Sequence, residues 1–235
     1  MSKRPAPKAP PSYLVAEKRR QRTVWTSIVT LAVLLIAGIV GYATYATQRA
    51  DDITYPKATA PGDNTGFALG AGPVKVDVYT DFMCPGCKNF KDASWPALET
   101  MIRENKITVV YHPVAILDHS SQGSKFSTRA AAISACAADS GKFNEFNAAM
   151  YAQQPAQGTA GLTNEQMIDM GRGVGLGDDF VKCAEDKKYG NWVREITNTM
   201  SERGFRLTPT VTVNGKQLET PSPEKITEAV TAATK

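Results

Sequence analysis

The 235-residue sequence predicts an α/β domain split by a helical insertion and preceded by one N-terminal transmembrane helix. Three patterns point there. Residues 24–46 carry no charged side chain. Apolar and polar residues alternate with the strand period at 74–79, and short β-type runs return at 107–111 and 210–218. Between about 122 and 203 the chain reads as helices only.

Charge is unevenly placed. Seven of the 27 basic residues (Lys3, Arg4, Lys8, Lys18, Arg19, Arg20 and Arg22) lie in 1–23 against one acid, Glu17. The rest of the chain holds 20 basic and 22 acidic side chains, so the net charge of +4 belongs to the tail. The body therefore offers no basic field for nucleic acid, and none is expected as a partner. With Pro5, Pro7, Pro10 and Pro11 among its lysines, 1–23 reads as a disordered, basic cytoplasmic tail.

The run at 24–46 includes Ile28, Val29, Leu31, Val33, Leu34, Leu35, Ile36, Ile39 and Val40. As a helix it would extend about 34 Å, enough for a hydrocarbon core of about 30 Å. Trp25 at one end and Tyr42 and Tyr45 at the other suit the two interfaces. Because the basic flank comes first, the positive-inside rule puts the N-terminus in the cytoplasm and the body outside. The expectation is a single-pass cell-membrane protein with an extracytoplasmic domain. A cleaved signal peptide competes, but its apolar region would run only about 7–15 residues. Residues 47–65, rich in Asp, Thr, Pro and Gly, read as a flexible linker to a domain at 66–235.

Within that domain Val74, Val76 and Val78 alternate with Lys75, Asp77 and Tyr79. A helix is expected from about Pro85 to Arg103, with Phe90, Trp95, Leu98 and Met101 on its core face, and a second strand at 107–111. In the helical block, Thr163 and Gln166 have the spacing of a capping box. Asn214-Gly215 between two apolar runs signals a type I′ hairpin. Ser222 and Pro223 suit the N-cap and first turn of a last helix bearing Ile226, Ala229 and Val230. Gly66, Gly70 and Gly72 make no phosphate loop, because no strand is expected before them.

Chemistry concentrates in Phe82-Met83-Cys84-Pro85-Gly86-Cys87, where strand gives way to helix. Cys84 falls at the N-cap and Pro85 at N1, where a missing N–H leaves no bond unmade. The Cys84 sulfur then faces the free N–H groups of Gly86 and Cys87 and the positive end of the helix dipole. Both favour thiolate over thiol, so its pKa should fall well below about 8.5. Cys87, one turn inward, should be more buried and act as the resolving thiol. Two other readings share the pair. A metal-binding module would need the missing half of a zinc site; Cys136 and Cys183 stand far apart, the histidines are His112 and His119 alone, and no metal is expected. A purely structural Cys84–Cys87 disulfide would close a loop too short to stabilise much. Both histidines read as surface or strand-end residues rather than catalysts.

Three separated segments resemble the DsbA-like family of thiol–disulfide oxidoreductases, which have a thioredoxin fold. They are Asp81-Phe82-Met83-Cys84-Pro85-Gly86-Cys87, Tyr111-His112-Pro113-Val114 and Thr208-Pro209-Thr210-Val211-Thr212-Val213-Asn214-Gly215. The resemblance implies a redox-active Cys84–Cys87 disulfide, a cis Pro209 packed beside Cys84, and Thr208 offering backbone groups to an extended substrate. Pro85 and Gly86 complete the support of the site. It further implies disulfide donation to cysteine-containing, unfolded exported proteins, reoxidation by a quinone-linked membrane partner of the DsbB or VKOR type, and no bound cofactor. A disulfide reductase or isomerase using the same centre is the rival direction. Two departures stand out: Gly86 replaces the histidine of the strongest oxidants, and Val78 occupies the place of a buried glutamate. Asp77 points to the other face of its strand, leaving Asp81 as the nearest carboxyl substitute.

Cys136 lies in an Ala-rich helical run and Cys183 near the start of a later helix. Four cysteines in an exported domain suggest two bridges. Once Cys84 and Cys87 pair, Cys136–Cys183 remains, a second bridge that similar family members often carry. Its expected role is structural.

Overall fold

The computed structural model describes residues 24–42 and 53–234. They fall in two units, one within 1–52 and one from Ile53 onward. In the first, helix α1 (Val24–Tyr42) has 19 residues and no charged side chain, and none of its residues is buried. By length it reaches about 28 Å. Residues 1–23, expected as a cytoplasmic tail, and residues 43–52 lie outside the described residues.

The second unit is built on a six-stranded sheet in the order β1-β2-β4-β3-β5-β6. Its strands are β1 (Thr59–Ala60), β2 (Asp63–Leu69), β3 (Val74–Thr80), β4 (Ile107–Pro113), β5 (Thr210–Val213) and β6 (Lys216–Gln217). Only β3 and β4 run parallel, Val78 opposite Tyr111, and helix α2 (Pro85–Arg103) supplies the crossover such a pair requires. The buried face of α2 carries Cys87, Phe90, Ser94, Trp95, Leu98 and Met101. Apolar groups at near-helical spacing thus meet the strand-alternating Val76 and Val78 across one core.

The insertion holds α3 (Phe126–Asp139), α4 (Phe143–Ala152), α5 (Asn164–Gly173), α6 (Asp178–Glu185) and α7 (Gly190–Glu202). Eleven of the fourteen residues of α3 are buried, because alanines let α4, α5, α6 and α7 approach it from several sides. Lys125, before α3, gives no side-chain cap. Asp118 Oδ1 instead accepts from Thr128 N–H at 2.9 Å, and Ser121 Oγ from Phe126 N–H at 3.2 Å. Cys136 of α3 is bonded to Cys183 of α6, with Cα atoms 5.8 Å apart.

Local signals hold to the residue. Thr163 and Gln166 form both bonds of a capping box. Asn214 (φ 46°) and Gly215 (φ 81°) turn the β5–β6 hairpin. Ser222 caps α8 (Pro223–Ala233) by accepting from Lys225 N–H.

The start of the domain differs from expectation. Residues 53–65, expected within the 47–65 linker, belong to the compact unit: β1 pairs with β2, and β2 pairs antiparallel with β4, Phe67 opposite Tyr111. Composition hides this strand because its pairing, not its propensity, makes it. Phe67 is buried between Phe143 and Trp192, each ring centroid 5.2 Å away. Gly66 is needed there, since a Cβ would meet Val110 Cγ1 at 2.7 Å and the Tyr111 carbonyl at 2.8 Å.

Candidate active site

Strand β3 ends at Thr80 and α2 begins at Pro85, so residues 81–84 form a short loop at the carboxyl end of the parallel pair. Cys84 takes the N-cap position in extended conformation (φ −84°, ψ 115°), with Pro85 at N1, as the residue types require. Both Cys84 and Cys87 are free and buried, while Pro85 and Gly86 are exposed.

The two thiols are driven apart. The Cys87 thiol, hydrogen-bonded to the Cys84 sulfur, is the chief influence lowering the Cys84 pKa to about 5. Burial works against the charge, but the Thr208 side chain and the N–H groups of Cys87 and Gly86 add further donors. Burial first, and then the neighbouring Cys84 thiolate, push Cys87 well above its ordinary value. One sulfur is therefore a nucleophile and leaving group at neutral pH; the other stays protonated.

The Thr208–Pro209 peptide is cis and brings this loop against Cys84. As a thiol, Cys84 donates to the Thr208 carbonyl at 3.3 Å. Thr208 Oγ1 is buried with no hydrogen-bond partner among the described residues, so its hydrogen is available to the thiolate once that proton leaves. A Cβ on Gly86 would stand 3.4 Å from Pro209 Cδ and 3.6 Å from Cys84 Sγ. The glycine thus leaves an open notch over the sulfur.

Asp81 is fully buried beside the pair. Its main-chain N–H points at Cys87 Sγ at 3.4 Å. Its carboxylate accepts from Met83 N–H at 2.9 Å, Ser127 Oγ–H at 2.6 Å and Leu117 N–H at 2.9 Å. Burial nevertheless raises its pKa to about 6 against those three bonds. Val78 lies in the core, and Asp77 faces away, held by His112 Nε2 (3.0 Å), Thr212 Oγ1 (2.9 Å) and Lys75 (2.9 Å).

His112, next to last in β4, is fully buried rather than at the surface: it stacks on Tyr79 at 4.1 Å, and Nδ1 lies 2.7 Å from the Thr65 carbonyl. His119 is exposed. Asp63, Asp77 and His112 are the one set of three metal-type ligands among the described residues. Lys75 Nζ lies 2.9 Å from both carboxylates and already supplies a positive charge there. No local pattern marks Gln154, whose side chain reaches the carbonyls of Phe82 and Cys84 from the insertion.

A sheet with one parallel pair, a Cys-Pro-Gly-Cys turn opening its crossover helix, and a cis-proline opposite define the thioredoxin class of redox proteins. The chain belongs to the thioredoxin family, whose model matches residues 65–232. Among solved structures, reduced DsbA from Mycobacterium tuberculosis is 28% identical, with TM-score 0.60 over 77% of this chain and 89% of that one. The reduced form of the disulfide bond oxidoreductase DsbG from the same organism is 27% identical, with TM-score 0.60 over 77% and 84%. A putative protein-disulfide oxidoreductase of Rickettsia typhi is 28% identical over 182 residues, 75% of this chain and 65% of that protein. The serine/threonine-protein kinase PknE of M. tuberculosis matches 128 residues at 27% identity. The chain spans 23% of that kinase's length.

Proposed function

We propose that the chain is a membrane-anchored thiol–disulfide oxidoreductase that introduces disulfides into exported proteins. One observation carries the chemistry: within one helical turn, Cys84 is held near pKa 5 while Cys87 is pushed well above the ordinary thiol range. The oxidoreductase relatives support the same class.

In the oxidised enzyme, a substrate thiolate attacks Cys84 Sγ. The Cys84–Cys87 bond breaks, its electron pair goes to Cys87, and Cys87 takes up a proton. A second substrate thiolate then attacks the substrate sulfur of the mixed disulfide and expels the Cys84 thiolate. The substrate has lost two electrons and the enzyme has gained them. Asp81, whose main-chain N–H lies on the Cys87 sulfur and whose buried carboxyl titrates near 6, is the candidate for exchanging the Cys87 proton in place of the glutamate that Val78 replaces. Thr208 and cis Pro209 form the wall against which an extended substrate would lie, and Cys136–Cys183 serves as a structural staple. Reoxidation falls to a quinone-linked membrane protein of the DsbB or VKOR type. Helix α1 supports a single-pass anchor, N-terminus inside, with the domain outside the cytoplasm.

Thiolate stabilisation favours the reduced state and so makes the pair oxidising. A glutathione redox titration of the purified full-length protein in detergent tests the direction. The expected potential lies roughly between −120 and −200 mV; a value near about −270 mV would assign the reductase direction instead.

A further inference from the structure

We propose that Gln154, on the helical insertion, is a positioning residue that sets the acidity of Cys84; the proposal rests on Cys84 being the exchanging thiol. Gln154 lies just beyond α4, and the following Pro155 restricts its backbone to extended conformations. Its side chain crosses to the loop before α2. There Nε2 stands 2.9 Å from the Phe82 carbonyl and 2.9 Å from the Cys84 carbonyl. A primary amide has two N–H donors, so each carbonyl receives one. The opposite amide orientation would set an oxygen against two carbonyl oxygens.

The same helix end makes a second contact with the loop. Tyr151, in the last turn of α4, points its hydroxyl at the Asp81 carbonyl (3.5 Å) and packs its ring on Phe82, centroids 5.2 Å apart. Carbonyls 81, 82 and 84 are therefore all addressed from α4 and the residues just after it. The Cys84 carbonyl also accepts from Cys87 N–H (3.0 Å) and Lys88 N–H (3.3 Å), the first bonds of α2.

Geometry links this clamp to the sulfur. The two carbonyls bound by Gln154 flank Met83, so the amide fixes the peptide planes through which the chain enters the helix. Those planes set the Cys84 backbone angles and aim Sγ at the N–H groups of Gly86 and Cys87, which stabilise its thiolate. Gln154 makes no bond to the sulfur; its influence passes through the loop. Without it the 82–84 peptides can rotate, and the helix N–H groups lose their alignment with the thiolate.

The test compares full-length wild type with Gln154→Leu and Gln154→Lys, reading the Cys84 pKa from alkylation rate against pH and the potential from equilibrium with glutathione. Gln154→Leu keeps similar bulk and loses both donors. Its Cys84 pKa should rise by about one unit, with roughly a tenfold shift toward the oxidised protein, ~30 mV more reducing. Gln154→Lys restores N–H donors and should return the pKa to the wild-type value or below. An unchanged pKa in folded Gln154→Leu, or equal rises in both variants, would overturn the proposal. Should Gln154→Leu fail to fold, Gln154→Met gives the same information: it too lacks both donors and adds no charge, and no rise in its Cys84 pKa refutes the clamp. A wild-type protein that alkylates at Cys84 but never exchanges with glutathione would refute the proposed function while leaving the pKa comparison intact.

Discussion

Ser127, at the start of the helical insertion, donates its hydroxyl hydrogen to the buried carboxylate of Asp81 at 2.6 Å, across 46 residues of sequence. Leu117 N–H binds the other carboxylate oxygen at 2.9 Å. The loop that delivers Cys84 is thus anchored to the insertion through a group that is itself ionisable.

Asp81→Asn keeps an oxygen for Met83 and Ser127 but turns an NH2 toward Leu117 N–H. Two opposed donors in a buried site should cost about 1–3 kcal/mol of stability. Near pH 5, where Cys84 ionises, Asp81 with its pKa of about 6 is already mostly protonated, so the Cys84 pKa should stay close to about 5 while the titration of Asp81 itself is lost. Chemical denaturation and pH-dependent alkylation check the two parts. A Cys84 pKa that fell by a unit or more would mean that Asp81 is still ionised when Cys84 titrates.

Gly86→His should be accommodated, because its Cβ would make ordinary contacts with Pro209 and Cys84 and the side chain would begin at an exposed position. A protonated imidazole over the notch adds a positive charge beside the thiolate. The Cys84 pKa should drop and the potential become more oxidising, by roughly 30 mV for each tenfold gain in thiolate stability. A glutathione titration that moved toward the reducing side would contradict the electrostatic account.

Stability of the reduced form should depend on pH in a defined sense. Cys84 is depressed to about 5 in the folded protein against about 8.5 unfolded, so between those values the unfolded chain binds more protons. Stability therefore rises with pH there, by at most about 1.4 kcal/mol per unit, and is lost as pH falls through about 5. Asp81, raised to about 6, acts oppositely between about 4 and 6. The clean window is pH 6–8.5, where the slope should exceed that of the oxidised protein. Equal slopes for the two redox forms in parallel denaturation series would refute the thiolate assignment.

Replacing Cys136 and Cys183 together by serine should lower thermal stability while sparing exchange at Cys84. The bridge ties α3 to α6 across a separation of 47 residues, worth roughly 4 kcal/mol by loop-closure entropy. The proposed redox pair lies instead at the start of α2, Cys84 at its N-cap and Cys87 within it. Turnover of the folded double variant on a reduced model substrate is the decisive measurement. Loss of turnover without loss of stability would make the bridge part of the redox chemistry.

The sequence by itself determined what short-range geometry can encode. The N-cap place of Cys84, Pro85 at N1, the Thr163 capping box, the Asn214-Gly215 turn and the Ser222 cap each rest on residues within four positions of one another, so the residue types suffice. Resemblance added what no spacing could, the cis bond before Pro209. Tertiary structure alone decided the rest. Strand β2 has poor strand composition and exists because β4 pairs with it and Phe67 fills a gap between Phe143 and Trp192. His112 is buried because the Thr65 carbonyl and Asp77 arrive on either side of its ring. Asp81 meets Ser127 and Leu117, and Gln154 meets Phe82 and Cys84, over separations of 36 to 72 residues. Hydrogen bonds of that reach leave no periodic trace in a chain. They form only when the insertion packs back against the sheet, and there the surroundings that tune Cys84 are fixed.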